Sequence, residues 1–141
     1  MARSSTFRSL APQVCAIVER FPEGRVTVQG RRLIWRGSLK HSELSRSYRI
    51  EVNYLLKHEP VVRILNRLTT RPGESLPHVW SHAKRILCLH QSKDWSARML
   101  LANSIIPWAA EWLFFYEIWV VTGEWDGGGD WTPLPPSQCS T

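Results

Sequence analysis

The sequence predicts an α+β fold with an N-terminal helix, a four-stranded antiparallel meander, a cysteine loop and C-terminal helices. Three observations predict it. Apolar residues near the N-terminus recur at spacings of three and four, which puts them on one face of a helix. The period then drops to two through four short segments, the mark of half-buried strands. Beyond Cys88 a helical, strongly apolar stretch follows. The chain has 141 residues, 43% of them hydrophobic, which suits one domain. We assign residues 1–141 to that single domain, with 10–125 as its ordered core and 126–141, rich in Gly, Pro and Ser, as an extended tail.

The elements follow in order. Leu10, Val14, Ile17, Val18 and Phe21 form the apolar stripe of the first helix, which Pro22 and Gly24 end. Cys15 lies inside it and is assigned to packing. Arg25–Gln29 alternates around Val26 and Val28, and Gly30 with Arg31 makes a turn. Leu33 and Trp35 continue the alternation. Tyr48, Ile50, Val52 and Tyr54 line one face of a third strand, and Val61–Leu65 forms a fourth. Residues 69–87 carry two prolines and a glycine and read as a long irregular loop, a common carrier of function. Ser92 or Asp94 is expected to cap a helix running to about Ile106, and Pro107 to open the next, which Gly123 stops. The run from Ile105 to Val121 contains Glu111 and Glu117 and falls short of the ~20 residues of a spanning helix. It is therefore read as a buried core helix, and no membrane partner is expected.

The net charge is +6 and the pI about 9.7. Basic residues cluster at Arg25, Arg31, Arg32, Arg36 and Lys40, and again at Arg63, Arg67, Arg71, Lys84 and Arg85. Such clusters attract an acidic protein surface or a nucleic acid, or form a solvated face. Nucleic acid is disfavoured, because no nucleic-acid-binding motif accompanies the charge. The three cysteines, Cys15, Cys88 and Cys139, are widely spaced and include no CxxC pair. They are expected to be reduced thiols in a cytoplasmic protein. The N-terminal residues lack an apolar signal core.

Chemistry concentrates around Cys88. His78, His82 and His90 lie within ten residues of it. Three readings are open on the residues alone. Cys88 is a nucleophile tuned or deprotonated by a histidine. Alternatively His78, His82, Cys88 and His90 bind zinc, although their spacing matches no strong motif. In the third reading Cys88 is a small buried residue and the histidines belong to the loop.

Leu76-Pro77-His78, then Leu87-Cys88-Leu89, then Trp95-Ser96 resemble the His-Pro-Asn loop, Ile-Cys-Leu segment and Trp-Ser helix start of ubiquitin-conjugating (E2) enzymes. The order of elements is similar as well. The C-terminal segment Trp108–Gly129 is similar to that of the E2-like proteins of bacterial antiphage CBASS operons of the short type II kind. The resemblance covers roughly Leu10 to Gly129. It implies a ubiquitin-conjugating (UBC) fold and a cysteine acyltransferase that uses no cofactor and no metal. Cys88 would take the C-terminal acyl group of the operon's CD-NTase, a nucleotidyltransferase, as a thioester and pass it to a target lysine as an isopeptide.

The family's loop asparagine has no clear counterpart here; His78 sits nearest to its place. An adenylating domain does not fit in this length. The resemblance therefore implies either an E1-like activating enzyme or direct attack by Cys88 on a peptide bond near the partner's C-terminus. His90 and His78 are the candidate bases for that route. Asp94 is a candidate to orient the incoming lysine, with helix capping as its simpler role. Trp80 and Trp95 are expected to pack the cysteine loop, and Gly127–Gly129 to be a flexible connection. Two alternatives stand beside the transferase: an inactive E2-like scaffold that binds a partner protein, and a small cysteine or zinc hydrolase.

Overall fold

The computed structural model of the chain describes residues 9–90 and 94–127. Helix α1 spans Leu10–Arg20 and buries Leu10, Gln13 and Ile17. Cys15 projects away from that stripe and is exposed, so it does not pack as expected. At spacings of two and five from Ile17 and Leu10, it falls off the buried face.

The sheet begins with the expected meander: β1 (Arg25–Gln29), β2 (Arg32–Leu39), β3 (Tyr48–Leu55) and β4 (Val61–Ile64). Each pairs antiparallel with the next, and the register is continuous from Arg32↔Leu55 to Leu39↔Tyr48. Alternation sends Leu33, Trp35, Ile50, Val52, Tyr54, Val62 and Ile64 to the inner face, where all are buried.

Among the described residues the sheet has six strands rather than four. Within the segment read as an irregular loop, β5 (Val79–Ser81) and β6 (Ile86–Leu87) form a hairpin, and the strand order is β1-β2-β3-β4-β6-β5. Strands of three and two residues are too short to show a period in the sequence. Their anchoring is clear in space. Arg63 pairs with Ile86, the Ile64 amide donates to the Arg85 carbonyl (3.0 Å), and Arg85 Nε donates to the Ile64 carbonyl (3.0 Å).

Among the described residues the α-helix expected to run to about Ile106 does not form. Residues 95–100 are irregular and lead into a 3₁₀ turn at Leu101–Asn103. The buried amide of Gln13 explains why this segment needs no helix. Its Nε2 donates to the Met99 carbonyl (2.9 Å), and its Oε1 accepts from the Leu101 amide (2.8 Å). A side chain from α1 thus supplies the pairing that a helix would have provided. Asp94 is exposed and in 3₁₀ conformation with no α-helix following it; Ser92 lies outside the described residues.

Helix α2 spans Ile105–Thr122 and stops at Gly123, whose φ of 85° favours glycine. Pro107 lies within its first turn, as expected of a residue lacking an N–H. By length and composition Leu101–Thr122 is apolar enough to cross a membrane. In the structure Ile105, Ile106, Ala109, Trp112, Leu113, Tyr116 and Trp119 are buried in the same core cluster as the inner face of the sheet. Glu117 is accommodated there by two partners. The Tyr48 hydroxyl donates to it (2.6 Å), and His41 Nε2 lies 2.7 Å from its other oxygen. Arg71 donates to the Val120 carbonyl (3.0 Å), which satisfies a terminal carbonyl of α2.

Candidate active site

Cys88 follows β6 directly and is half-buried. Its amide donates to the His78 carbonyl (3.0 Å), and the Trp112 indole N–H donates to the same oxygen (3.1 Å). His78 turns that oxygen inward by adopting a left-handed backbone, φ 48°. The conformation is uncommon outside glycine, and His is among the residues that accept it more readily. One carbonyl therefore links the loop before β5, the cysteine after β6 and the middle of α2.

Aromatic rings complete this corner. The His78 imidazole stacks on Trp125 at 5.2 Å with an interplanar angle of 19°. Trp125 in turn meets Trp112 (5.7 Å) and Phe115 (5.9 Å). Burial pushes the His78 imidazole down to a pKa of about 4. At neutral pH it is uncharged, so it supplies no cation to a neighbouring thiolate.

His90 occupies a different setting. Its side chain is 8% exposed, its Nδ1 lies 4.0 Å from Glu59 Oε1, and its ring packs beside Trp108 at 5.8 Å. His82 is exposed, and its Nδ1 accepts a hydrogen bond from the Leu76 amide (3.0 Å), which fixes the loop. Among the described residues no group of three His, Cys, Asp or Glu side chains comes together as a metal site. The zinc reading of His78, His82, Cys88 and His90 therefore lacks its geometry.

Trp95 is buried and meets Tyr54 edge-on at 5.4 Å, as a packing residue does. Trp80 is half-buried in β5, and Asp94 is exposed. Gly127 is exposed, and the rest of the glycine run lies outside the described residues.

The expectation that every cysteine is a free thiol needs correction. Cys15 is free, whereas the Cys88 sulfur is disulfide-bonded. The wide spacing of the cysteines hid this bond, because disulfide pairing depends on distance in space rather than in sequence.

Sequence reasoning singled out Cys88 and the histidines around it but not the contacts that fix their positions. Trp112 and Glu59 carried no signal of their own, and Trp125 stood out only as a tryptophan that could dock the C-terminal segment. The left-handed turn at His78 had none.

Cys88 thus stands at the end of a sheet hairpin, its amide donating to a loop carbonyl that also accepts from an α2 tryptophan. The family model described as Type II CBASS E2 protein matches residues 13–133, most of the chain. The chain belongs to that family, and so has a role in CBASS antiphage defence. Membership implies association with a CBASS operon and its CD-NTase. Among curated proteins there is no match to the chain.

Proposed function

We propose that this protein is a cytoplasmic cysteine acyltransferase with a ubiquitin-conjugating fold that links the C-terminus of its operon's CD-NTase to a target amine. The observation that carries this reading is the placement of Cys88 in a member of the E2 family. It follows β6, half-buried, with its backbone fixed by His78 and Trp112. A thioester-forming cysteine needs such a fixed backbone, because the acyl carbon must meet the sulfur in one geometry.

The first step requires the Cys88 thiolate, so a cellular dithiol reductant must first open the disulfide by exchange, becoming a disulfide itself. The sulfur adds to the carbonyl carbon of the partner's C-terminal acyl group. The C–S bond forms as the bond to the leaving group breaks. That group is a nucleotide where an E1-like enzyme has activated the terminus. Where Cys88 attacks a peptide bond directly, it is the amine of the released peptide, which takes a proton. A lysine amine then displaces the sulfur, giving an isopeptide and restoring the thiol. His90 is the favoured base, with Glu59 as the carboxylate beside its Nδ1. A pKa near 4 makes His78 a poor base at neutral pH and leaves it a positioning role.

The test mixes the reduced protein with the CD-NTase of its operon and follows adducts by denaturing electrophoresis. An adduct on Cys88 that hydroxylamine cleaves and a phosphine reductant leaves intact is the expected thioester. Cys88→Ser should trap a more stable ester, and Cys88→Ala should form none. Conjugation by the Cys88→Ala protein at the wild-type rate would overturn the proposal and leave a scaffold role.

A further inference from the structure

The outer face of the sheet carries an unusual arrangement of charge. The register aligns Arg25, Arg36, Glu51 and Arg63 in one row across β1 to β4. Arg25 and Arg36 stand directly opposite each other, an arrangement that destabilises a strand pair. Glu51 is the one acid on the six strands. Its side chain is 10% exposed, and it lies 2.8 Å from Arg36 and 3.6 Å from Arg63. It is thus shared between two arginines already. Arg32 and Arg49 alternate onto the same face and are exposed, and Arg32 donates to Asn53 Oδ1. Neither these two nor Arg25 has an acidic partner among the described residues.

Five arginines around one glutamate leave a strongly positive sheet face. Between them Ile34, Leu55 and Ile86 are half-buried and Val61 is exposed. Beside β3 and β4 the surface dips into a groove of about 580 Å³, where Arg32, Arg63 and Lys84 outnumber the two acids of its lining, Glu51 and Glu59. Sheets that bind single-stranded nucleic acid stack the bases on aromatic side chains. Across β1 to β4 and β6 the outward-facing positions hold charged, polar and aliphatic side chains and no aromatic ring.

We infer that this face docks an acidic segment of a partner protein, one in which carboxylates alternate with aliphatic residues. The arginine fork pairs carboxylates well, and the interspersed aliphatic side chains accept apolar neighbours. Docking would neutralise the opposed Arg25–Arg36 pair. It does not depend on the chemistry of Cys88.

The test uses the full chain carrying Cys88→Ala, so that failed transfer chemistry leaves the result intact. The probe is a fluorescent peptide alternating Glu with Leu and Val. Its controls are a peptide with Lys in place of Glu, and a single-stranded DNA of equal charge. The expected result is saturable binding of the acidic peptide that weakens at least about tenfold at high salt. Arg25→Glu with Arg49→Glu, neither of which holds Glu51, should weaken it by at least about tenfold. The same charge change at Lys40→Glu with Arg46→Glu, away from this face, should leave it nearly unchanged. Absence of salt-sensitive binding, equal loss in both variants, or preference for the DNA overturns the inference.

Discussion

His78 shows how one residue can shape a site through its backbone while its side chain responds to pH. Its left-handed φ aims a carbonyl at the Cys88 amide and the Trp112 indole. A β-branched residue tolerates that conformation poorly. His78→Val should therefore lower stability by about 1–3 kcal/mol, and His78→Asn by less. Urea unfolding at neutral pH would measure both.

The imidazole adds a pH dependence. Its folded pKa, about 4, lies below the ordinary value of 6.5. Between these values the unfolded chain binds a proton that the folded chain refuses. Stability from this group is thus intact above about pH 6.5 and falls as the pH drops toward about 4, by up to about 3 kcal/mol. His78→Asn should flatten that slope in denaturation curves taken across the window. Cys88 carries a separate expectation. Mass-mapped maleimide labelling without reductant should modify Cys15 and spare Cys88, and reduction should open Cys88 to the reagent.

Among the elements, α1 depends on a polar contact. Gln13→Leu would leave the Met99 carbonyl and Leu101 amide without their partner. The expected cost is about 2–4 kcal/mol, read from the urea midpoint, although leucine is the more apolar residue. Helix α2 depends on Tyr48 and His41 to hold Glu117. Burial, and then the hydrogen bond to that carboxylate, raise the Tyr48 phenol well above its ordinary value. Tyr48→Phe should cost about 1 kcal/mol by removing the donor, measured the same way. At the C-terminus of α2, a Cβ on Gly123 would stand 2.9 Å from Arg71 Nη2 as well as in a strained φ. Gly123→Ala should fray that last turn.

The elements differ in how legibly the sequence marks them, for physical reasons. Strands β1 to β4 bury one face only, so their alternation is visible residue by residue. Helix α1 has one stripe and a proline stop. The β5–β6 hairpin is too short for a period and owes its place to Ile64 and Arg85. The segment from Trp95 to Leu100 carries helix-compatible residues but makes a turn at Ser96–Met99 and is tied to Gln13, a contact that no local pattern encodes. At the candidate site, Cys88 and its histidines stand out by residue type. The rings that enclose His78 come from residues 112 and 125, far along the chain.

At the level of the whole molecule, the two sides of the sheet divide the work. The inner side packs α1 and α2 into one core cluster, while the outer side is left basic. Cys88 sits where a short hairpin meets the middle of α2, so its position depends on both. Trp112→Phe keeps most of the packing but removes the indole N–H donor. It should leave the fold intact and slow adduct formation on Cys88 more than it lowers the unfolding midpoint, as seen by comparing initial rates with urea curves.

The bridge made by Gln13 spans 86 residues to Met99 and 88 to Leu101. A contact of such separation cannot form while the ribosome still holds residue 101 in its exit tunnel. Helix α1 can therefore complete its packing only once most of the chain has emerged. Its amides should exchange with deuterium in arrested nascent chains and become protected in one late step.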